Sequence, residues 1–502
     1  MYPLQNANSF NLNPFLILLI VVGYLFLLLF IAYLTSRNAN NESFFLGNKK
    51  SPWYIVAFGM IGASLSGVTF ISIPGWVGSS EFSYMQMVLG YLVGYWVIGN
   101  VLMPVYYKLN LTSIYTYLEE RFGIWSYKTG AVFFLISRTI GASFRLYLVV
   151  NVLYLAIFKS WHVPFELAVI VLILFVWLYT YKGGIKTIIW TDTVQTLFML
   201  GALIATLIVI SKSLGLDLRG MVKTIHESPY GRMFFFDDWN FKGHFVKQFL
   251  GGVFTAIAMT GLDQDMMQKN LSCRNIKDAK KNMFWFSLTL VPINLMFLVL
   301  GALLFIFAAK TGIQLPAHSD DLFPLIAIGY LGPVIAIIFI IGIISAAYPS
   351  ADSALTSLTT SFTVDIMDVK KKYGEAGIKK IRGRVHVIFS IVLVLVIMAF
   401  RAINNQSVVS AIFTVAGYTY GPLLGLFSFG LLTKIKFRDS VWVPVITVIA
   451  PVICYIISMN SEKWFGGYKV GFELLLMNGL LTFFGLWLLS RIKPGRKEER
   501  EI

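Results

Sequence analysis

Apolar runs of about 20 residues recur from one end of the chain to the other, and no other feature limits its fold so strongly. A helix needs roughly 20 residues to cross about 30 Å of hydrocarbon. Inside lipid every backbone N–H and C=O must find its partner within the protein. The sequence therefore predicts an all-α polytopic membrane protein rather than a set of soluble domains. Composition agrees at the decisive point: 57% of the residues are hydrophobic and only 13% are charged, against roughly 25% charged in soluble domains. The first run, 14–35, is too long for a signal-peptide core and no Lys or Arg precedes it, so it reads as a retained membrane helix.

About thirteen spans are expected, near 14–35, 52–78, 82–106, 127–158, 163–181, 185–211, 246–268, 280–309, 329–364, 384–402, 406–432, 440–459 and 470–490. An odd number puts the termini on opposite sides, and basic residues accumulate on the cytoplasmic side. With the C-terminus inside, the inner segments hold 28 Lys and Arg and the outer ones 11. The densest inner cluster is Lys370–Lys371–Lys372 with Lys379, Lys380, Arg382 and Arg384. This predicts a cell-membrane protein with its N-terminus outside and its C-terminal tail, 491–502, in the cytoplasm. The net charge of +16 is accounted for by these loops, and no basic domain remains to bind nucleic acid. The loop 212–245 is the only extramembrane segment long enough for a small fold or lid, and Thr112 to Gly123 reads as a short interfacial helix. The two cysteines, Cys273 and Cys454, read as small buried apolar residues rather than a disulfide framework.

Polar groups at bilayer depth are costly and need a reason. The segment Gly59–Gly75 holds four Gly, four Ser/Thr and Pro74, which makes a poor continuous helix. It is either broken, exposing carbonyls that can bind a cation, or a tightly packed helix with small residues at its contacts. Asp263 and Asp265 follow Gly261 and are either intramembrane groups or solvated at a cytoplasmic mouth. Arg138 and Arg145 lie seven residues apart, on one helical face. Each is either a structural partner for an intramembrane acid such as Asp192, Asp263 or Asp352, or a fork for a solute carboxylate. Asp192 is a candidate for a cation or for such a pair. Ser350, Ser353, Ser357 and Thr360 form a hydroxyl stripe that either coordinates Na⁺ and water or bonds back to its own helix.

No metalloprotease, hydrolase or nucleotide-binding motif is present, so neither an enzyme nor an ATP-driven pump is expected. A sensor would need an appended signalling domain, and the short tail after Arg491 leaves no room for one. The remaining classes are a symporter driven by an ion gradient and an ion-independent facilitator or channel; the discontinuous polar sites favour the symporter.

Six short motifs, in order, resemble the sodium:solute symporter family, which includes sodium–glucose, sodium–proline and sodium–sialic acid cotransporters. They are Phe45-Leu-Gly-Asn48, Ser113–Gly123, Gly183-Gly184 with Trp190-Thr-Asp192, Gly261-Leu-Asp-Gln-Asp265, Ala351-Asp-Ser-Ala-Leu355 with Asp365, and Gly417–Gly425. The resemblance implies the leucine-transporter fold: two inverted five-helix repeats at 52–211 and 246–432, one helix before them at 14–35 and two after them at 440–490, with the first helix of each repeat broken. It implies Na⁺ as the coupling ion, no organic cofactor, and a small polar solute such as a sugar, a sialic acid or another hydroxylated carboxylate, with an amino acid as an alternative. The family's shared Na⁺ site falls on Gly62, Leu65, Ala346, Pro349 and Ser350. Pro349 departs from the hydroxyl many members carry there; it frees the Ser345 carbonyl one turn earlier, and either that carbonyl or the Ser353 hydroxyl is the expected replacement ligand. A second Na⁺ site of some members would use Asp192, although Ala346 and Pro349 stand where that site has hydroxyls. The implied solute positions are Ser66, Thr69, Gln86, Arg145 and Asp263, of which Ser66, Thr69 and Arg145 look most like the sialic-acid-type members.

Overall fold

A computed structural model describes residues 14–37, 40–403, 408–435, 437 and 439–492. Thirteen helical spans follow one another: α1 (Pro14–Ser36), α2 (Trp53–Ser80), α3 (Tyr84–Lys108), α4 (Ile124–Trp161), α5 (Phe165–Gly183), α6 (Ile185–Leu214), α7 in two pieces (α7a, Phe245–Gly261; α7b, Gln264–Leu271), α8 (Ile276–Thr311), α9 (Pro333–Ile366), α10 (Glu375–Ile403), α11 in two pieces (α11a, Val408–Thr419; α11b, Gly421–Leu432), α12 (Trp442–Trp464) and α13 (Leu474–Ile492). Ten are long and apolar enough to cross a bilayer singly, and the two bent pairs bring the number to 12. The shorter apolar α5 is the remaining expected span. The start of the 406–432 span and most of the 491–502 tail lie outside the described residues.

Two sets of five helices, α2–α6 and α7–α11, make the body. Because five is odd, the second set starts from the face opposite the first, the geometry of inverted repeats. The first helix of each set is interrupted. In α2 the backbone of Ser66 swings to φ 50°, ψ 174°, a conformation that costs about 1–3 kcal/mol in a non-glycine residue. In α7 a wide turn over Ile257–Gly261 runs into a break at Leu262–Asp263 with a 64° bend. Both expectations for Gly59–Gly75 hold together, since α2 also lies hard against α6. A Cβ on Gly62 would stand 2.3 Å from the Thr196 hydroxyl, so only glycine fits.

Burial grades the spans by position. The most apolar stretches of α2 and α9 are 83% and 78% buried, that of α12 only 22%. Helix α9 packs on α2, α4 and α6, which makes the α2–α9 contact the centre of the molecule. Helix α1 lies outside on α5 and α6, but the Ser345 hydroxyl of α9 donates to Tyr24 Oη on α1 at 2.8 Å.

Two loops differ from expectation. In the 112–123 segment only Thr116–Arg121 is helical, because residues 112–115 are held by the α7 break instead. The 212–245 loop carries a helix, Leu218–Glu227, capped by Asp217, and then an irregular run tied to the bundle by Phe82 N–H donating to the Arg232 carbonyl.

Candidate ion and solute site

The break in α7 is closed by side chains. Asp263 caps α7b, its Oδ1 accepting from the N–H groups of Asp265 (2.9 Å) and Met266 (3.2 Å), and its Oδ2 accepts from Tyr420 Oη at 2.5 Å. The carbonyls stranded by the bend also find donors: Tyr106 Oη donates to Gly261 O and Tyr115 Oη to Leu262 O, each at 2.9 Å. Gln264 locks the neighbouring loop, accepting from Ile114 N–H and donating to Thr112 O, both at 2.9 Å. Asp265 pairs with Arg138 of α4, both almost wholly buried. Asp263 and Asp265 are fully buried inside the protein, so the solvated alternative fails. Arg138 takes the structural role, with Asp265 as its partner rather than Asp192, Asp263 or Asp352.

The break in α2 is finished differently. Ser66 and Thr69 line a cavity of about 90 Å³ together with Leu65, Arg138, Arg145, Tyr84, Tyr91, Tyr95 and Asn294. Arg145 reaches this cavity from α4 with no acidic partner within ion-pair distance among the described residues, while Arg138, two turns away on the same face, is paired.

On α9 the hydroxyl stripe divides. Ser357, Thr359, Thr360 and Thr363 donate back to carbonyls of their own helix. Ser353 Oγ donates to Asp352 Oδ1 at 3.3 Å, and Ser345 is used by Tyr24. Ser350 Oγ is fully buried and has no hydrogen-bond partner among the described residues. Gly62, Leu65, Ala346, Pro349 and Ser350 are buried on α2 and α9, the two helices in contact at the centre of the fold. A buried, unpartnered hydroxyl on the helix that packs against the interrupted α2 is the kind of neutral oxygen ligand that suits a hard monovalent cation.

Three expected residues stand elsewhere. Gln86 is absent from the cavity wall; its amide donates to the carbonyls of Ser83 and Gly243 and accepts from Phe235 N–H, so it pins the 212–245 loop. Asp263 is spent on its cap and on Tyr420. Asp192 is met by an ammonium: Lys269 Nζ lies 2.7 Å from its Oδ2, both groups buried. Lys269, just past the expected span 246–268, is inside the protein because α7b, bent 64° from α7a, packs against α2, α6 and α9. The residues missed are Tyr84, Tyr91 and Tyr95 on the cavity wall. Their spacing of seven and four puts them on one face of α3, a period visible in the sequence.

Comparison with known proteins places the chain. It is 25% identical over 460 residues to the sodium/sialic acid symporter of Aliivibrio fischeri, covering 90% of this chain and 89% of the relative. It is 24% identical over 478 residues to the sodium/sialic acid symporter of Proteus mirabilis, covering 92% and 94%. It is 24% identical over 437 residues to the human sodium-coupled monocarboxylate transporter 1, covering 82% and 67%. Its fold resembles the substrate-bound, outward-open structure of a Na⁺-coupled sialic acid symporter, with a TM-score of 0.81 at 21% identity over 97% of this chain and 100% of that one. A more distant likeness is the inward-facing structure of Mhp1, with a TM-score of 0.54 at 14% identity over 90% and 94%. The sequence model of the sodium:solute symporter family matches residues 44–437, so this membrane protein belongs to that family and works by Na⁺-coupled symport of a small solute.

Proposed function

We propose that the solute is an organic anion, a sialic acid or another hydroxylated carboxylate, and that Arg145 receives its carboxylate. The observation that carries this reading is the contrast on one face of α4: Arg138 is ion-paired with Asp265, whereas Arg145 faces the cavity with no acidic partner among the described residues. A guanidinium placed among helices without an anion is costly, and a solute carboxylate supplies one during transport. Ser66 and Thr69 stand on the same wall for neighbouring hydroxyls. Relatives named for sialic acid and for monocarboxylates handle solutes that carry a carboxylate. Gln86 and Asp263 act indirectly, the first holding the loop and the second shaping the α7 break.

The coupling ion is Na⁺, held by the carbonyls of Gly62, Leu65 and Ala346 and by the Ser350 hydroxyl, with Pro349 shaping the α9 side. Ion and solute each favour the same arrangement of α2 and so strengthen one another's binding. Rocking of one set of helices on the other then carries both across. The repeats are 52–211 and 246–432, and the loop basicity sets the N-terminus outside and the C-terminus in the cytoplasm.

Uptake into proteoliposomes under an inward Na⁺ gradient tests this, with a panel of sialic acids, monocarboxylates, amino acids and neutral sugars. An anionic solute is taken up, uptake falls to background in choline, and Arg145→Lys weakens solute affinity by about 30-fold to several thousand-fold. That range converts the roughly 2–5 kcal/mol lost when a buried charged hydrogen-bond pair is broken. Transport of a neutral sugar with unchanged affinity in Arg145→Lys would overturn the assignment.

A further inference from the structure

Asn294 sits on α8 and lines the same cavity as Arg145. It is only 2% exposed. Its Nδ2 donates to the Leu290 carbonyl one turn back, at 2.8 Å. A carbonyl can only accept, so this bond fixes which way round the amide lies. The amide oxygen, Oδ1, is left buried with no hydrogen-bond partner among the described residues. The other polar side chains on the wall are of two kinds. Arg138 and Arg145 only donate, and the Ser, Thr and Tyr hydroxyls donate or accept as the partner requires. Tyr84 and Tyr91 already meet each other, Oη to Oη at 3.2 Å. No carboxylate lines the cavity among the described residues. Asn294 Oδ1 is thus an acceptor that cannot adapt. It is satisfied only by a donor that enters the cavity, a water before the solute and the solute afterwards.

We propose that Asn294 Oδ1 is a solute contact that accepts from an O–H or N–H of the bound anion. The site then selects acids that carry such a donor away from the carboxylate over acids with a plain hydrocarbon body. This rests on the reading of Arg145 as the receiver of the carboxylate and adds a second fixed point to it. A solute without the donor drives out the water and leaves the amide oxygen buried and unpaired, which costs affinity. A site built to meet a donor rejects the analogue lacking it for this reason, far more strongly than an apolar pocket tells one methylene from none.

The two fixed points stand on different halves of the body. Arg145 is on α4, in the first set of five helices, and Asn294 is on α8, in the second. A solute that meets both ties the two sets together. A solute held at Arg145 alone leaves α8 without a grip on it. Selection for the donor and engagement of the second set are therefore one event, carried by a single amide oxygen.

The test is competition binding to the full-length protein in lipid at saturating Na⁺. The probes are N-acetylneuraminate with analogues that each lack one hydroxyl or the acetamido group, and glycerate with propanoate. In the wild type, loss of the donor that meets Asn294 weakens binding about 5- to 150-fold, the equivalent of about 1–3 kcal/mol. Asn294→Leu, close in volume, weakens the parent acid and abolishes that difference, whereas a side chain that merely supported α8 would weaken parent and analogue alike. Where Asn294→Leu does not fold, Asn294→Gln shifts the acceptor by one methylene and narrows the same difference. Equal binding of parent and every analogue in the wild type overturns the proposal, and so does a difference that survives Asn294→Leu undiminished. Equilibrium binding of ²²Na⁺ without solute stays unchanged in Asn294→Leu; its loss would assign the amide oxygen to the ion and overturn the solute contact. Failure of the Arg145 reading looks different: the uncharged carboxamide of N-acetylneuraminate then binds as well as the acid while the Asn294-dependent difference persists. Binding of none of these acids removes the organic-anion reading and this contact with it.

Discussion

Helices α2 and α7 are each interrupted part-way along, at Ser66 and at Leu262–Asp263, and the groups around the two breaks differ in kind. Around α7 the chain supplies partners for the backbone itself: two tyrosine hydroxyls for the stranded carbonyls, Asp263 as cap and Gln264 for the adjoining loop, with Arg138 paired to Asp265 through one oxygen while Asp265 Oδ1 and Arg138 Nε stay unpartnered among the described residues. Around α2 no side chain among the described residues donates to the carbonyls of Gly62 or Leu65, and Ser66 and Thr69 open onto the cavity. A helix end without partners is tolerated only where something else completes it. We read the first break as a joint and the second as the proposed binding site. If that is right, substitutions at α7 cost folding stability, whereas substitutions opposite α2 cost ligand affinity.

The largest effect is expected at the joint. Arg138→Leu leaves Asp265 charged and buried alone, a loss of about 3–5 kcal/mol for a broken buried pair. Thermal unfolding of the purified protein measures it, and the double variant with Asp265→Asn should lose less than the sum of the two. The exposed pair Arg401–Glu166, 3.5 Å apart, is the control: Arg401→Leu should cost under about 1 kcal/mol. Equal losses at Arg138 and Arg401 would remove the distinction between the two breaks.

Next in size is Tyr115→Phe. It deletes one hydroxyl and strands the Leu262 carbonyl, at about 1–3 kcal/mol for a buried group left unsatisfied. The Na⁺ concentration giving half-maximal uptake should stay where it is. A shift in Na⁺ dependence without loss of stability would mean that the α7 break also handles the ion.

The fold was largely legible because lipid leaves few options: apolar runs located the long membrane helices among the described residues, though not the short helices Asn41–Leu46, Leu218–Glu227 and Leu322–Gly329, and Gly, Ser and Pro density located the α2 break. The α7 break was legible as Gly261 followed by two acids. Its closure was not, because Tyr106, Tyr115 and Tyr420 lie more than a hundred residues from the break in sequence and no local pattern assigns a hydroxyl to one carbonyl. Lys269 was hidden for a related reason. A lysine just past an apolar run reads as a topology anchor, and only the 64° bend that packs α7b against α6 brings it to Asp192. Gln86 was carried over from the family resemblance, and its hydrogen bonds to a loop of irregular conformation have no sequence signal at all.

On the side of α2 the effects should appear in affinity. Ser350→Ala removes the unpartnered hydroxyl and should raise the half-saturating Na⁺ about tenfold, the equivalent of about 1.4 kcal/mol. Stability in Na⁺-free buffer should not fall, since that hydroxyl bonds nothing else among the described residues. Thermal unfolding with and without Na⁺ separates the two quantities, and a loss in both buffers would return Ser350 to a packing role.

The smallest expected effect is at Pro349, where two changes oppose each other. Proline has no N–H, so the Ser345 carbonyl one turn back is not claimed by the helix and is free to face the ion. Serine at 349 adds a hydroxyl beside Ser350 but also restores an N–H that captures that carbonyl. The added oxygen sits on the ion side of α9, whereas the carbonyl serves there only if it tilts outward, so Pro349→Ser should tighten Na⁺ binding by about two- to fivefold, worth about 0.5–1 kcal/mol. Pro349→Ala separates the contributions, because it restores the N–H without the hydroxyl. A weaker Na⁺ affinity in Pro349→Ala identifies the Ser345 carbonyl as a ligand, and an unchanged one assigns the whole gain to the serine oxygen. If Pro349→Ser binds Na⁺ no better than Pro349→Ala, the α9 side of the site is already complete, and the unfinished character of the α2 break lies in the carbonyls of Gly62 and Leu65 alone.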